Sequence, residues 1–148
     1  MRRPPRLSRR YPFHAVMVVL PESILSRYRA FSLYNSPYPV HAEGRAIDLY
    51  PDPDGGAPSP VSGEVIETLT VRAPSKPYAD DDDHLIVVDA GERLARILHV
   101  DPAVRAGDAL SVGDSLGETV RSGYFAPWVD DHLHLGFRPP DANPYRAS

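Results

Sequence analysis

The chain has 148 residues, enough for one domain with a hydrophobic core and too few for two domains of ordinary size. It contains no cysteine, which excludes disulfide bonds and thiolate metal ligands, so any metal must be held by histidine and carboxylate side chains. The formal net charge is −4 at pH 7, and this acidic balance argues against nucleic acid as a partner.

The N-terminal segment is basic and then apolar, reading MRRPPRLSRRYPFHAVMVVLP. Its apolar run, residues 15–20, is shorter than the roughly 7–15 apolar residues of a secretory signal and the roughly 20 of a membrane-spanning helix. We therefore interpret residues 1–12 as a basic, disordered tail and place the start of a single domain at residue 13. A cytoplasmic protein without a membrane span is expected.

Short β-like runs separated by Pro, Gly and Asp fill residues 13–140. Pro occurs 17 times and Gly 10 times, and no long segment has the apolar period of a helix. The predicted strands, in chain order, are AVMVVL, SRYRAFSLY, AIDLY, PVSGEVIETLTV, HLIVVDA, RLARILHV, DALSVGDSLGETV and HLHLGF. This pattern predicts an all-β domain, a compact sandwich or barrel, followed by a C-terminal tail over residues 141–148.

The acidic run ADDDDH, residues 79–84, precedes one of these strands. It lacks the spaced ligands and the closing Glu of a calcium-binding loop. A solvated turn is therefore predicted for it.

The loop SGYFAPWV, residues 122–129, lies just before the last predicted strand and is rich in aromatic residues. Tyr124, Phe125 and Trp128 are expected either to line a substrate groove or to pack the loop against the end of the barrel. The sequence leaves both possibilities open.

Three predicted strands carry titratable side chains among apolar ones. In HLHLGF, His132 and His134 alternate with leucines and therefore share the face opposite the apolar side chains. Asp48 in AIDLY and His99 in RLARILHV also alternate with apolar neighbours. A carboxylate within an apolar strand is costly unless it is paired or binds a cation, and His and carboxylate ligands hold catalytic zinc when cysteine is absent. The four side chains are predicted to converge on one open groove.

The order AIDLY, SPVSGEV, HLIVVDAGERLARILHV, VRAGDALSVGDSLGET and HLHLGF resembles the lysostaphin-type zinc metallopeptidases, which share the duplicated hybrid motif fold. The resemblance covers about residues 36–138. It implies that Asp48 and His134 bind Zn²⁺ and that His99 and His132 are the catalytic histidines. The implied reaction is hydrolysis of a peptide bond by metal-activated water, on a peptide or peptidoglycan-like substrate.

The third zinc ligand has more than one candidate. The family places its first ligand His four residues before the Asp, and this chain has Gly44 at that position. His41, seven residues before Asp48, completes the metal site if the intervening segment bows outward. Glu43 is a further candidate, and the remaining alternative is that the site lacks a ligand.

Two other classes of function stay open. A duplicated-hybrid-motif domain without catalytic activity would keep the groove and bind or regulate a partner, and a failure to bind zinc would favour it. A carrier or phosphotransfer domain of similar barrel architecture is suggested by SPVSGEV. It is disfavoured because the only lysine, Lys76, lies in a Pro-flanked loop and because phosphotransfer through His99 would need neither Asp48 nor a histidine pair.

Overall fold

The computed structural model describes residues 27–33, 46–53, 56–141 and 143–144. These residues contain nine β-strands and no helix. The prediction of an all-β, barrel-like or sandwich-like domain is confirmed. Among these residues, no helix has the length and apolar character that a membrane crossing requires. The strands are β1 (Ala30–Leu33), β2 (Ala46–Tyr50), β3 (Gly63–Arg72), β4 (Asp82–Asp89), β5 (Leu94–Leu98), β6 (Val100–Pro102), β7 (Ala109–Leu110), β8 (Gly117–Thr119) and β9 (Leu133–Arg138).

Several sequence-based expectations concern residues outside these ranges, among them the candidate ligand Glu43 and most of the C-terminal tail over residues 141–148. The others are the basic tail over residues 1–12, the strand over 15–20 and the candidate ligand His41. Each therefore stays a prediction.

Seven of the described strands form one antiparallel sheet in the order β1-β2-β9-β5-β4-β3-β7, and this sheet curls into a half-barrel. Strands β6 and β8 form a second, two-stranded sheet. The last strand, β9, lies between β2 and β5, so residues that are distant in sequence become direct neighbours. This central position of β9 brings early and late parts of the chain together.

The hydrophobic core lies against one face of the large sheet. Ile47 on β2, Leu135 on β9 and Ile97 on β5 form a row of buried side chains across three strands, because Leu135 pairs with both neighbours. Leu49 and Leu133 form the adjacent buried pair. Burial of each such side chain contributes about 1.5–3 kcal/mol, so the leucines set the register of β9. Side chains at the alternate positions of β2 and β9 then face away from the core.

Two predicted strands are divided in the structure. RLARILHV becomes β5 and β6, which are separated at His99, where φ is 78°. DALSVGDSLGETV becomes the short strands β7 and β8 with a turn between them. The period-2 pattern indicated extended backbone in both segments but did not locate these interruptions.

The acidic run over residues 79–84 is the predicted solvated turn only in its first part, where Asp80 and Asp81 are exposed and precede β4. Strand β4 begins at Asp82, and Asp83 is fully buried within it. Asp83 lies on the same face of β4 as the buried residues Leu85 and Val87, but its position among four successive aspartates concealed that pattern.

Candidate functional site

Four of the five predicted site residues lie together in the structure. The ring centroid of His99 lies 5.4 Å from that of His132 and 6.4 Å from that of His134. Asp48 contacts both His132 and His134. The fifth, His41, lies outside the described residues. Strands β2 and β9 and the junction of β5 with β6 therefore contribute to one cluster, which we call the histidine cluster.

Asp48 and His134 meet because they are direct cross-strand partners of β2 and β9. Their neighbours Ile47 and Leu135 are also partners and point into the core, so alternation places Asp48 and His134 on the other face. His134 Nδ1 lies 2.8 Å from Asp48 Oδ1, which is hydrogen-bonding distance. The register that packs the core thus also forms this contact.

His132 immediately precedes β9 and is buried. Its Nδ1 lies 3.0 Å from the carbonyl oxygen of Asp130, which can only accept, so Nδ1 is the donor. Its Nε2 lies 3.6 Å from Asp48 Oδ2. Burial lowers the pKa of His132 below its usual value, despite the opposing effects of the Asp130 carbonyl and the Asp48 carboxylate. His132 is therefore neutral at pH 7, with Nε2 available as an acceptor.

Aromatic side chains pack around His132. Phe125 stacks on its ring at a centroid distance of 4.3 Å and an interplanar angle of 22°, and Tyr50 lies at 5.0 Å. Phe125 also meets the ring of His99 edge-on at 4.8 Å. Of the three aromatics predicted to line a groove or to pack the loop, Phe125 is buried, whereas Tyr124 and Trp128 are 63% and 82% exposed.

His99 reaches the cluster through its backbone conformation and not through strand alternation. Leu98 is the cross-strand partner of His134, and Ile97 is the partner of the core residue Leu135. A regular strand would therefore turn His99 towards the core side together with Ile97. Its positive φ of 78° breaks the alternation, in a region that costs a non-glycine residue about 1–3 kcal/mol. His99 lies beside His132 and His134 as predicted, but the alternation argument behind that placement was wrong.

Asp83 is a site residue that sequence reasoning missed. Its Oδ2 lies 2.5 Å from His99 Nδ1 and accepts a hydrogen bond of 2.8 Å from Ser122 Oγ, while Oδ1 accepts from the backbone N–H of His84 at 2.7 Å. Burial raises the pKa of Asp83, but its hydrogen bonds and the charge interaction with His99 outweigh this effect and hold the pKa below its usual value. A buried, ionised carboxylate therefore lies directly behind the His99 ring.

The loop between β8 and β9 is held by the guanidinium group of Arg121. This group donates hydrogen bonds to the carbonyl oxygens of Ala126, Pro127 and Val129 and to the carboxylate of Asp131. At Gly123 the loop approaches Pro74 so closely that a Cβ would lie 1.8 Å from the Pro74 carbonyl oxygen. These contacts fix the segment that supplies Ser122 and Phe125 to the site.

The donor atoms beside Asp48 fit zinc by their chemistry. A carboxylate oxygen and an imidazole nitrogen are both zinc ligands, and a catalytic zinc site uses three protein ligands. Asp48 and His134 supply two adjacent donors, and the predicted third, His41, is not among the described residues. Within the described part of the chain, no group of three or more His, Cys, Asp or Glu side chains has the arrangement of a metal site.

Comparison with curated proteins finds no match for this chain. The profile of one protein family matches residues 19–148, a span that contains every candidate site residue named above. That family is described as Domain of unknown function (DUF8155) N-terminal domain. The match covers most of the sequence, and the chain belongs to the DUF8155 N-terminal domain family.

Proposed function

We propose that this domain is a zinc-dependent hydrolase that cleaves a peptide bond, as the lysostaphin-type metallopeptidases do. The observation that carries the proposal is the convergence of Asp48, His99, His132 and His134 from three distant parts of the chain. Burial of a titratable group costs stability unless the group has a partner. A cluster of several such groups is therefore typical of a functional site.

Asp48 and His134 are the residues proposed to hold the ion, with His41 as the third ligand. Zinc bound there would supply Lewis acidity, which polarises a scissile carbonyl and lowers the pKa of a coordinated water towards about 7. The carboxylate of Asp48 also carries the negative charge that a divalent cation requires. Its second oxygen faces His132, so one side chain links the proposed metal ligands to the proposed catalytic histidine.

His99 and His132 are the groups proposed to handle protons. Their ring centroids lie 5.4 Å apart with an interplanar angle of 80°, and each ring lies beside a member of the Asp48–His134 pair. His132 is neutral at pH 7, and an imidazole in this state can accept a proton from an attacking water. Together the two rings would orient or deprotonate the water and stabilise the oxyanion of the tetrahedral intermediate.

The test combines metal analysis with hydrolysis assays on the full chain. His132→Ala should lower kcat on a Gly-rich peptide by about 10²–10⁴-fold, because it removes a proton-transfer group, while most of the zinc stays bound. The matched control is His84→Ala, which removes a histidine assigned no role in catalysis. Zinc-loaded wild-type protein that cleaves neither peptides nor muropeptides would contradict the proposal.

The role of His41 is tested separately by zinc titration of the wild type against His41→Ala. Loss of tight binding in the variant would make His41 the third ligand, because two protein ligands hold zinc weakly. Equal affinity in both proteins would remove His41 from the site and leave Glu43 as the next candidate.

A binding module without catalysis is the second candidate, and the exposed aromatics favour it. Tyr124 and Trp128 project from a loop that Arg121 holds beside the histidine cluster. Aromatic side chains in such positions are enriched at binding surfaces. Trp128 is the only tryptophan of the chain, so its fluorescence reports directly on peptide binding. A saturable fluorescence change with zinc-loaded protein and no cleavage would favour this candidate, and any zinc-dependent cleavage would exclude it.

A further inference from the structure

The contact between Asp83 and His99 determines which ring nitrogen of His99 carries the proton. An ionised carboxylate can only accept hydrogen bonds, so at 2.5 Å the His99 Nδ1 must be the donor. Asp83 also accepts from Ser122 Oγ and from the His84 backbone N–H, and both interactions stabilise its charged form. In the neutral ring the lone pair is consequently on Nε2.

Several contacts of the fold hold the His99 ring in this orientation. The left-handed conformation of His99 turns the ring out of the alternation of β5, and Asp83 on β4 fixes its Nδ1 edge. Phe125 packs edge-on against the ring at 4.8 Å and limits its rotation. The contacts with Asp83 and Phe125 orient the imidazole of His99 while its backbone keeps a strained conformation. Strain of this kind is common at functional sites.

His132 has a different environment on its Nδ1 side. Its partner there is the neutral carbonyl of Asp130, which stabilises an imidazolium less than a carboxylate does. The Asp83 carboxylate lies against His99 and is fully buried, so its charge acts in a medium of low dielectric constant. The two histidines are therefore not equivalent as proton acceptors.

We propose that Asp83 is a positioning residue that makes Nε2, and not Nδ1, the ring nitrogen of His99 that accepts a proton in the site; this rests on the proposed hydrolytic function. The Nε2 atom takes a proton from water as the oxygen of that water bonds to the scissile carbonyl carbon. Asp83 stabilises the resulting imidazolium and itself stays ionised. The proton then passes from Nε2 to the amine nitrogen as the carbon–nitrogen bond breaks, so peptide and water give a carboxylic acid and an amine.

Asp83→Asn tests this assignment without removing the side chain. The His84 N–H requires an oxygen acceptor, which places the new amide nitrogen at the position of Oδ2, next to His99 Nδ1. The amide nitrogen is a donor, so Nδ1 must become the acceptor and the proton moves to Nε2. The equivalent substitution in a serine protease keeps the geometry and lowers kcat by about 10⁴-fold through the wrong tautomer.

Two readouts are needed, both on the full chain. Nitrogen-15 spectroscopy at a pH where the ring is neutral should show the His99 proton on Nδ1 in the wild type and on Nε2 in Asp83→Asn, with the resonance assigned from a His99→Gln spectrum. With zinc loaded, kcat should fall by about 10²–10⁴-fold and KM should change little. The matched control is Asp82→Asn, which changes a partly exposed carboxylate on the same strand and should alter neither readout.

The outcomes separate this inference from the proposed function. The same His99 tautomer in the wild type and in Asp83→Asn would overturn the positioning role. A changed tautomer with unchanged kcat would overturn the assignment of His99 as proton acceptor. A changed tautomer in a zinc-loaded protein that cleaves no peptide would support the positioning by Asp83 and count against the hydrolase.

Discussion

Gly123→Ala should destabilise the domain and disturb the histidine cluster together. A Cβ at this position would lie 1.8 Å from the Pro74 carbonyl oxygen, where contacts under 3.0 Å are essentially never found. The loop and Pro74 must therefore move apart by about 1.2 Å, because neither contact partner is a flexible side chain. Ser122 directly precedes this glycine and Phe125 follows it by two residues, so both would move with it.

The size of the effect follows from two contacts. Ser122 Oγ donates to the ionised Asp83 at 2.8 Å, and a hydrogen bond to a charged group is worth about 1.5–3 kcal/mol. Phe125 stacks on His132 at 4.3 Å, and an aromatic pair of this kind is worth about 0.5–1.5 kcal/mol. Loss of both lowers the free energy of unfolding by about 2–4.5 kcal/mol.

Urea denaturation measures this loss, and Gly91→Ala is its matched control. A Cβ at Gly91 would meet nothing within 4 Å, so that variant carries only the cost of a left-handed φ of 96°, about 1–2 kcal/mol. The ring resonances of His132 should shift in Gly123→Ala and not in Gly91→Ala. A smaller loss of stability in Gly123→Ala than in the control, with unchanged His132 resonances, would refute the reasoning.

Three further predictions concern the core, the metal ligands and pH. Leu135→Ala should lower the free energy of unfolding in urea by about 2–5 kcal/mol, because the side chain is fully buried between Ile47 and Ile97; a loss under about 1 kcal/mol would contradict this. Asp48→Asn should weaken zinc binding by more than about 100-fold in a competition titration, and unchanged affinity would remove Asp48 from the metal site. The free energy of unfolding should rise with pH between the lowered pKa of His132 and its unfolded value of 6.5, because the unfolded chain binds more protons there. His132→Gln should remove this pH dependence of the free energy of unfolding. If the pH dependence persists in the variant, it arises from another group.

Local patterns in the sequence were sufficient for part of the site. AIDLY and HLHLGF alternate apolar and polar residues, and alternation alone determines which side chains share a face. Asp48 and His134 could therefore be predicted to lie on the polar face of their strands, opposite the leucines that fill the core. The all-β class followed from short strands and frequent turn residues for the same local reason.

The tertiary structure decided what depends on contacts between distant residues. Placement of β9 between β2 and β5 made Asp48 the partner of His134, and no local pattern specifies which strands pair. The left-handed φ of His99 is held by its tertiary contacts, since a positive φ is uncommon for any non-glycine residue, even for histidine, and the sequence does not predict it at this position.

Asp83 is the clearest example of a residue whose environment depends on tertiary contacts and not on local sequence. In the sequence it is one of four successive aspartates, and the ordinary expectation for such a run is a solvated turn. It is buried and ionised because His99, Ser122 and the backbone N–H of His84 satisfy its oxygens, and His99 and Ser122 come from other elements of the fold. The sequence by itself determined the strands and the face on which Asp48 and His134 lie. Only the folded chain could supply the hydrogen bonds from His99 and Ser122 that offset the desolvation cost of burying the Asp83 carboxylate. A buried charge is stable only where such partners are in place.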